Sequence, residues 1–276
     1  CYSTFVLMID DLRIVFMGTP DFAVESLKIL VENNYNIVGV ITAPDKPSGR
    51  GQKINQSAVK KYADQNKLKT LQPTNLKSEN FITELKNLDA NLQIVVAFRM
   101  LPEVVWDMPK LGTFNLHASL LPQYRGAAPI NWAIINGEKE TGVSTFFLQH
   151  QIDTGDIIAQ EKVSIGDNES AGELHDKLMD IGCGLVLRTV KDIEHEKINS
   201  QPQNENQELK EAFKIFKPFC EINWDKPIVD IHNHIRGLSP YPTAFAEIKN
   251  KETAEIISCK IFKAEIIIEE HKHNLK

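Results

Sequence analysis

A chain of 276 residues, 42% hydrophobic and 25% charged, is long enough for one large buried core and a smaller second one. Its formal charge of -6 excludes a protein that coats nucleic acid over its whole surface, yet Asp45 to Lys69 holds seven Lys or Arg against two Asp, a local +5. Cysteines at 1, 183, 220 and 259 share no ligand spacing, so neither a disulfide framework nor a zinc site is indicated, and no run reaches the roughly 18 apolar residues of a membrane span.

The opening CYSTFVLMIDDL lacks the basic start and apolar length of a signal peptide. Residues 1–12 read as an N-terminal extension, with Met8 as the expected initiator or the first seven residues as a tag; a reducing cytoplasm is the expected location. RIVFMG (13–18) is an apolar run suited to a buried strand, and TPDFAVESLKILVENN follows with Pro20 near the first helical position and Phe22, Leu27, Leu30 and Val31 on one helical face. NIVGVIT (36–42) is a second strand, SAVKKYADQNK a helix, SENFITELKNLD a helix capped by Ser78, and LQIVVAFR (92–99) another strand. GTFNLHA and GVSTFFL add two more. Asp167-Asn168-Glu169 is suited to cap one or two helices over residues 170–197. This alternation predicts an α/β, Rossmann-like, mostly parallel sheet over residues 13–197.

Then the composition changes. Residues 198–212 contain NSQPQNENQELK, polar and nearly free of apolar side chains, which reads as an exposed linker. In residues 213–276, DKPIVDIHNHIRGLSPYP reads as a short helix ended by Gly237 and Pro240, and TAFAEIK and TAEIISCKIFKAEIII read as strands. About forty residues follow Pro240, too few for a closed five-stranded barrel, so a β-rich second domain is expected to be incomplete.

The chemistry-bearing residues lie in the first part. Side chains two apart on a strand share a face, so Asn115 and His117 project together while Phe114 and Leu116 point away. An amide donor beside an imidazole suits stabilisation of an oxyanion on a carbonyl carbon. Asp153, in the turn HQIDTG, is a candidate to fix the imidazole tautomer and to accept a proton. Viewed alone, an Asn/His pair at this spacing is more often a satisfied structural pair than a catalytic one, and His150 competes as an acid-base group, although it reads as an exposed loop residue. His232 and His234 diverge on a helix and lack acidic or thiol partners, so they read as solvated surface. FMGTPDF has one glycine where a dinucleotide fingerprint has three. The loop APDKPSGRGQK (43–53) is Gly- and Pro-rich and basic, and either moves in solvent or meets an anion through Lys46, Arg50 and Lys53.

GTPDF, DKPSGRG, FNLHASLLPQYRGAAP and DTGD, in this order and at these separations, resemble the methionyl-tRNA formyltransferase family, closely over 13–197 and more loosely through INWDKP and IRGLSPYP. The resemblance implies transfer of a formyl group from 10-formyltetrahydrofolate to the α-amino group of methionyl initiator tRNA, without a metal. It implies Asn115, His117 and Asp153 as the catalytic set. Ser119, Leu120, Leu121 and Pro122, with Phe98, Arg99 and Met100, are implied to hold the folate, and Lys46, Arg50, Lys53 and Arg125 to meet the tRNA. The second domain is implied to be an OB-like barrel touching the tRNA, and a monomer is the expected state. Two departures stand out: Phe98-Arg99 replaces the family's common Tyr-Gly, and Lys46 stands where many relatives carry Arg. An enzyme formylating an amino sugar nucleotide or glycinamide ribonucleotide, a folate hydrolase, and a non-catalytic RNA-binding module are the rivals. The basic loop and second domain argue against small acceptors, and the Asn/His/Asp set argues against a binding module.

Overall fold

In the computed structural model, residues 12–48, 53–206, 208–250 and 252–267 are described. The unbroken apolar run Arg13–Gly18 forms β1, buried from Ile14 onward. It is followed by α1 (Phe22–Glu32), β2 (Asn36–Ile41), β3 (Lys46–Ser48), β4 (Lys53–Asn55), α2 (Ala58–Gln65), β5 (Thr70–Leu71) and α3 (Glu79–Lys86). Next come β6 (Leu92–Val96), α4 (Glu103–Trp106), β7 (Thr113–His117), β8 (Arg125–Gly126), α5 (Pro129–Ile135), β9 (Glu140–Phe147), β10 (Ile157–Ser164) and α6 (Ala171–Glu194). The chain continues with β11 (Glu211–Ala212), a single 3-10 turn at Lys217–Cys220, α7 (Ile228–Gly237), β12 (Ala244–Lys249) and β13 (Ile256–Ile261).

Seven strands form one sheet in the order β10-β9-β7-β6-β1-β2-β5, parallel from β7 to β5, with β9 and β10 added antiparallel at one edge. The expected Rossmann-like, mostly parallel sheet is therefore present. Alternation along β1 feeds two cores: Ile14 and Phe16 join α1 and α6 side chains such as Leu27 and Leu178, while Val15 and Met17 join Phe81, Leu85 and Val105 on the other face. A smaller third core, Cys220, Ile222, Ile235, Leu238, Ala244 and Ala246, holds α7 to the antiparallel pair β12–β13 and makes the second, β-rich unit. Among the described residues no helix is long and apolar enough to cross a membrane, and Cys183, Cys220 and Cys259 are free thiols.

Several local expectations are corrected. One helix of 24 residues covers the 170–197 region, and its cap is Ser170 in a reciprocal box with Glu173 rather than the preceding acidic cluster. Glu169 instead accepts from the Gly166 N–H and pairs with Lys177. Helix α1 starts two residues after Pro20, at Phe22, with Asp21 as its cap accepting from Phe22 N. Ser78 occupies the cap position of α3 without a capping bond, its hydroxyl donating to Asn75 O. In the second unit the strand read over 253–268 is confined to Ile256–Ile261.

His232 and His234 are not solvated surface. His232 is 8% exposed, and His234 is half-buried against the Phe219 ring at 5.2 Å, its Nε2 without a hydrogen-bond partner among the described residues. The α7 face that carries them is turned inward because Ile235 and Leu238 are buried in the third core. Nor is 198–212 a loose tether. Its side chains are mostly exposed, but Gln201 exchanges backbone hydrogen bonds with Ile157, and β11 pairs with β8. A polar segment with no core of its own thus satisfies its backbone at the edge of the larger unit.

Candidate active site

Strand order reverses at β1: β2 and β5 lie on one side of it, β6 and β7 on the other. In such sheets the crevice beyond the carboxyl ends at the reversal is where ligands bind. Gly18, Val96 and Leu116 are in register across β1, β6 and β7, and a cavity of about 1070 Å³ opens just beyond them, lined by Pro20, Phe98, Asn115, His117 and Asp153 among others. Two glycines set this floor. A Cβ on Gly18 would lie 2.6 Å from the Ala23 Cβ, so the glycine of GTPDF serves the close approach of α1 to β1. A Cβ on Gly182 of α6 would lie 2.9 Å from a Leu116 methyl, so this glycine lets β7 seat against the helix behind the site.

The strand period delivers Asn115 and His117 to the same cavity, as expected. Asn115 is half-buried, and its side-chain amide has no hydrogen-bond partner among the described residues, so it is free to donate into the cavity. His117 is 7% exposed, with Nε2 2.8 Å from the carbonyl oxygen of Tyr124 and Nδ1 3.8 Å from Asp153 Oδ2. A carbonyl only accepts, so Nε2 carries a proton and Nδ1 is the ring atom left for Asp153 and a substrate. At 3.8 Å the ring and carboxylate attract without sharing a hydrogen bond. Asp153 sits in the left-handed region at φ 55, and its Oδ2 accepts from Gly126 N at 3.0 Å.

Tyr124, also left-handed at φ 60, is locked in turn: its N–H donates to Lys210 O at 2.6 Å and its hydroxyl to Glu138 at 2.5 Å. Burial and then the Glu138 hydrogen bond push the phenol's pKa up, so it remains a neutral donor. Burial works against ionisation of Glu138, but hydrogen bonds from Lys210 and Tyr124 outweigh it and hold that carboxyl below its usual range.

The segment after β7 does structural work. Ser119 is fully buried and donates to Gln123 O at 2.6 Å. Ser144 Oγ of β9 donates to Ser119 O at 2.6 Å and accepts from Leu121 N at 3.1 Å and Gln160 at 2.8 Å. Of the four residues expected at the folate there, Pro122 lines the cavity, whereas Ser119, Leu120 and Leu121 do not. Phe98, Arg99 and Met100 all line it; Arg99 donates to the Thr74 and Pro73 carbonyls while its guanidinium lies 5.7 Å from the Phe98 ring centroid. The apolar wall continues through Val95, Leu101, Trp106 and Leu148. His150, at the same mouth, is exposed and pairs with Glu103 at 3.2 Å.

Of the cations expected at RNA, Lys46 is exposed at the base of the β3–β4 hairpin; for Lys53 only the backbone is described, and Arg50 lies outside the described residues. Arg125 lines the cavity but is not free: it donates to Gln203 at 3.0 and 2.6 Å and to Glu205 at 2.8 Å. Gln203 also donates to the carbonyls of Asp153 and Gly155 at 2.8 and 2.9 Å. Sequence reasoning missed Gln203, Tyr124, Ser144 and the cavity-lining stretch Leu209–Lys214. Gln203 and Ser144 act across separations of 50 and 25 residues that carry no local signal. The alternation of Phe and Lys after residue 212 was a visible one. Among the described residues no cluster of His, Cys, Asp or Glu could hold a metal ion.

The family model for formyl transferases matches residues 12–190, and that for the formyl transferase C-terminal domain matches residues 214–275. A methionyl-tRNA formyltransferase of Flavobacterium johnsoniae is 58% identical over 264 residues, 96% of this chain and 83% of that one. One from Bacteroides fragilis is 58% identical over 265 residues, 95% of this chain and 82% of that one. Among solved structures, the sugar 3N-formyl transferase WlaRD, determined with dTDP and 5-N-formyl-THF, superposes with a TM-score of 0.62 at 25% identity, covering 82% of this chain and 78% of that one. A 4-N formyltransferase from Francisella tularensis gives 0.68 at 18% identity over 92% and 99%, a likeness of fold. The chain belongs to the methionyl-tRNA formyltransferase family.

Proposed function

We propose that this enzyme transfers the formyl group of 10-formyltetrahydrofolate to the α-amino group of methionine esterified to initiator tRNA. The observation that carries the reading is the convergence of a free Asn115 amide, His117 and Asp153 on one cavity with a largely apolar wall, in a chain 58% identical to curated methionyl-tRNA formyltransferases over nearly its whole length. The wall from Val95 to Leu148 fits a flat heterocycle.

The lone pair of the amine adds to the formyl carbon, forming the new C–N bond and placing negative charge on the formyl oxygen. Asn115 donates to that oxygen, and His117, protonated on Nδ1 as well, adds a second charged donor. Asp153 stabilises the imidazolium and takes up the proton shed by the attacking nitrogen. As the bond from the formyl carbon to N10 breaks, the electron pair returns to N10, which receives a proton through His117. The products are formyl-methionyl-tRNA and tetrahydrofolate. Lys46 and Lys53 of the β3–β4 hairpin, with Arg50 between them in sequence, are the cations for the acceptor stem, and the enzyme works as a monomer in the cytoplasm.

A formyl-transfer assay with 10-formyltetrahydrofolate offers methionyl initiator tRNA, an amino sugar nucleotide and glycinamide ribonucleotide in parallel. Product on the tRNA alone is the expected result; product on either small amine overturns the acceptor assignment.

A further inference from the structure

We infer that Phe213 and Phe216 form a stacking platform for unpaired nucleotides, leading the 3′ end of the RNA substrate into the catalytic cavity. The inference rests on the acceptor assignment above and adds residues to it.

The observation is an inversion of ordinary burial. In Ala212–Cys220, AFKIFKPFC, a Phe recurs every third residue, and folding has turned Ile215 inward against the third core while Phe213 and Phe216 remain 64% and 62% exposed. This is not a frayed segment. Ala212 O accepts from Ala127 N at 2.7 Å, Phe213 O accepts from Trp132 Nε1 at 2.7 Å, and Phe216 O accepts from Phe219 N at 3.0 Å. The Ala212, Phe213 and Phe216 carbonyls are each held by a hydrogen bond and Ile215, between the two rings in sequence, packs on the third core, so the rings stand in water on an anchored backbone. Phe219, the third of the set, is taken up by packing on Trp132 at 4.9 Å and His234 at 5.2 Å, which leaves Phe213 and Phe216 as the two most exposed rings of the set.

Charge and position select the occupant. Lys214 and Lys217 alternate with the two rings, there is no carboxylate between Ala212 and Cys220, and neither lysine forms an ion pair among the described residues. Lys214 Nζ lies 5.5 Å from the Phe216 centroid, and Phe213 and Lys214 line the cavity that holds Asn115 and His117. Aromatic faces interleaved with unpaired cations are what single-stranded nucleic acid requires: each base has a π-face to stack and each phosphate a charge to neutralise. An apolar protein partner would use the same rings without needing the cations, which makes it the alternative to exclude.

The test is steady-state kinetics with methionyl-tRNA on Phe213→Ala, Phe213→Leu and Phe213→Trp, with the same three changes at position 216. It is paired with fluorescence anisotropy of a labelled 12-nucleotide single-stranded RNA. Alanine is expected to raise the KM for methionyl-tRNA by about 5- to 100-fold, the range lost when a base-stacking aromatic is removed. The KM for the formyl donor and the thermal melting temperature should hold. Tryptophan should restore the wild-type KM, and leucine, equally apolar but without a π-face, should not. Anisotropy should follow the same order, and a blunt RNA duplex should not discriminate the variants. A leucine variant as good as wild type, or an alanine variant with unchanged tRNA KM and RNA affinity, overturns the platform. If wild type binds the single strand but formylates only a small amine, the acceptor assignment fails while the platform stands.

Discussion

At the scale of single residues, Asn115 and His117 differ in how much of their surroundings they answer to. Among the described residues Asn115 spends its amide on no partner, whereas His117 is fixed by the Tyr124 carbonyl at one nitrogen and faced by Asp153 at the other. Replacing Asn115 by Ala should therefore cost about 10²- to 10³-fold in kcat, the usual loss for one oxyanion donor, with little change in melting temperature. His117→Ala should cost at least as much in rate and also lower stability, because it leaves the Tyr124 carbonyl without its partner in a buried site, an effect of about 1–3 kcal/mol. Rates from single-turnover assays and melts on the two purified variants check both; an Asn115→Ala enzyme that loses stability and activity together would mark the amide as structural.

At the scale of elements, the segment between the two units is part of the active-site wall. Gln203 donates to the Asp153 and Gly155 carbonyls and accepts from Arg125, holding the left-handed turn at Asp153 from outside. Gln203→Ala should lower kcat about tenfold or more while leaving the KM for both substrates nearly unchanged, since a small misplacement of a catalytic group is enough for that. Gln203→Glu should fall in between, because a carboxylate keeps the acceptor for Arg125 but loses the two donor bonds; equal KM and kcat effects would argue against a positioning role. This is also where legibility in sequence ended. The strand period placed Asn115 and His117 on one face, and long periodic elements such as β1 and α6 were readable because their own residues specify them. The partners of Ser119, Tyr124 and Asp153 were not, since each is chosen by a tertiary contact from another element, and a polar linker offers no period by which to place it.

At the scale of the whole molecule, the two units are joined through α5 and α7 as well as through that segment. Asn131 of α5 donates to Gly237 O at 2.7 Å, and Arg236 of α7, 5% exposed, donates to the Gly166 and Glu169 carbonyls at 3.2 and 2.9 Å, just ahead of α6. On the same helix, burial holds the pKa values of His232 and His234 below the ordinary imidazole range, with Arg236 adding to the effect at His232. Groups shifted down in this way bind protons more readily in the unfolded chain, so their contribution to stability is complete above about pH 6.5 and is lost as pH falls toward their folded values. Melting temperature should accordingly decline from pH 7.5 to pH 5, by roughly 2–4 °C for each kcal/mol lost, and decline less steeply in His234→Gln. A His234→Gln profile parallel to wild type would assign the acid sensitivity elsewhere. Here sequence reasoning erred for a physical reason: divergence around a helix shows that two histidines cannot share a metal, but not which of them a neighbouring core will cover.

The two-residue ladder between β8 and β11 has a consequence in time. Gly126, at φ 122 with room for no Cβ beside the Ala212 carbonyl, donates to Asp153, and its ladder partner Ala212 lies 86 residues further along the chain. During synthesis from the N-terminus, Asn115, His117 and Asp153 all emerge before the strand that braces their loop. A nascent chain released at residue 200 would carry Asn115, His117 and Asp153 and still lack β11, so the loop around them is braced only once residues 211–212 have left the ribosome.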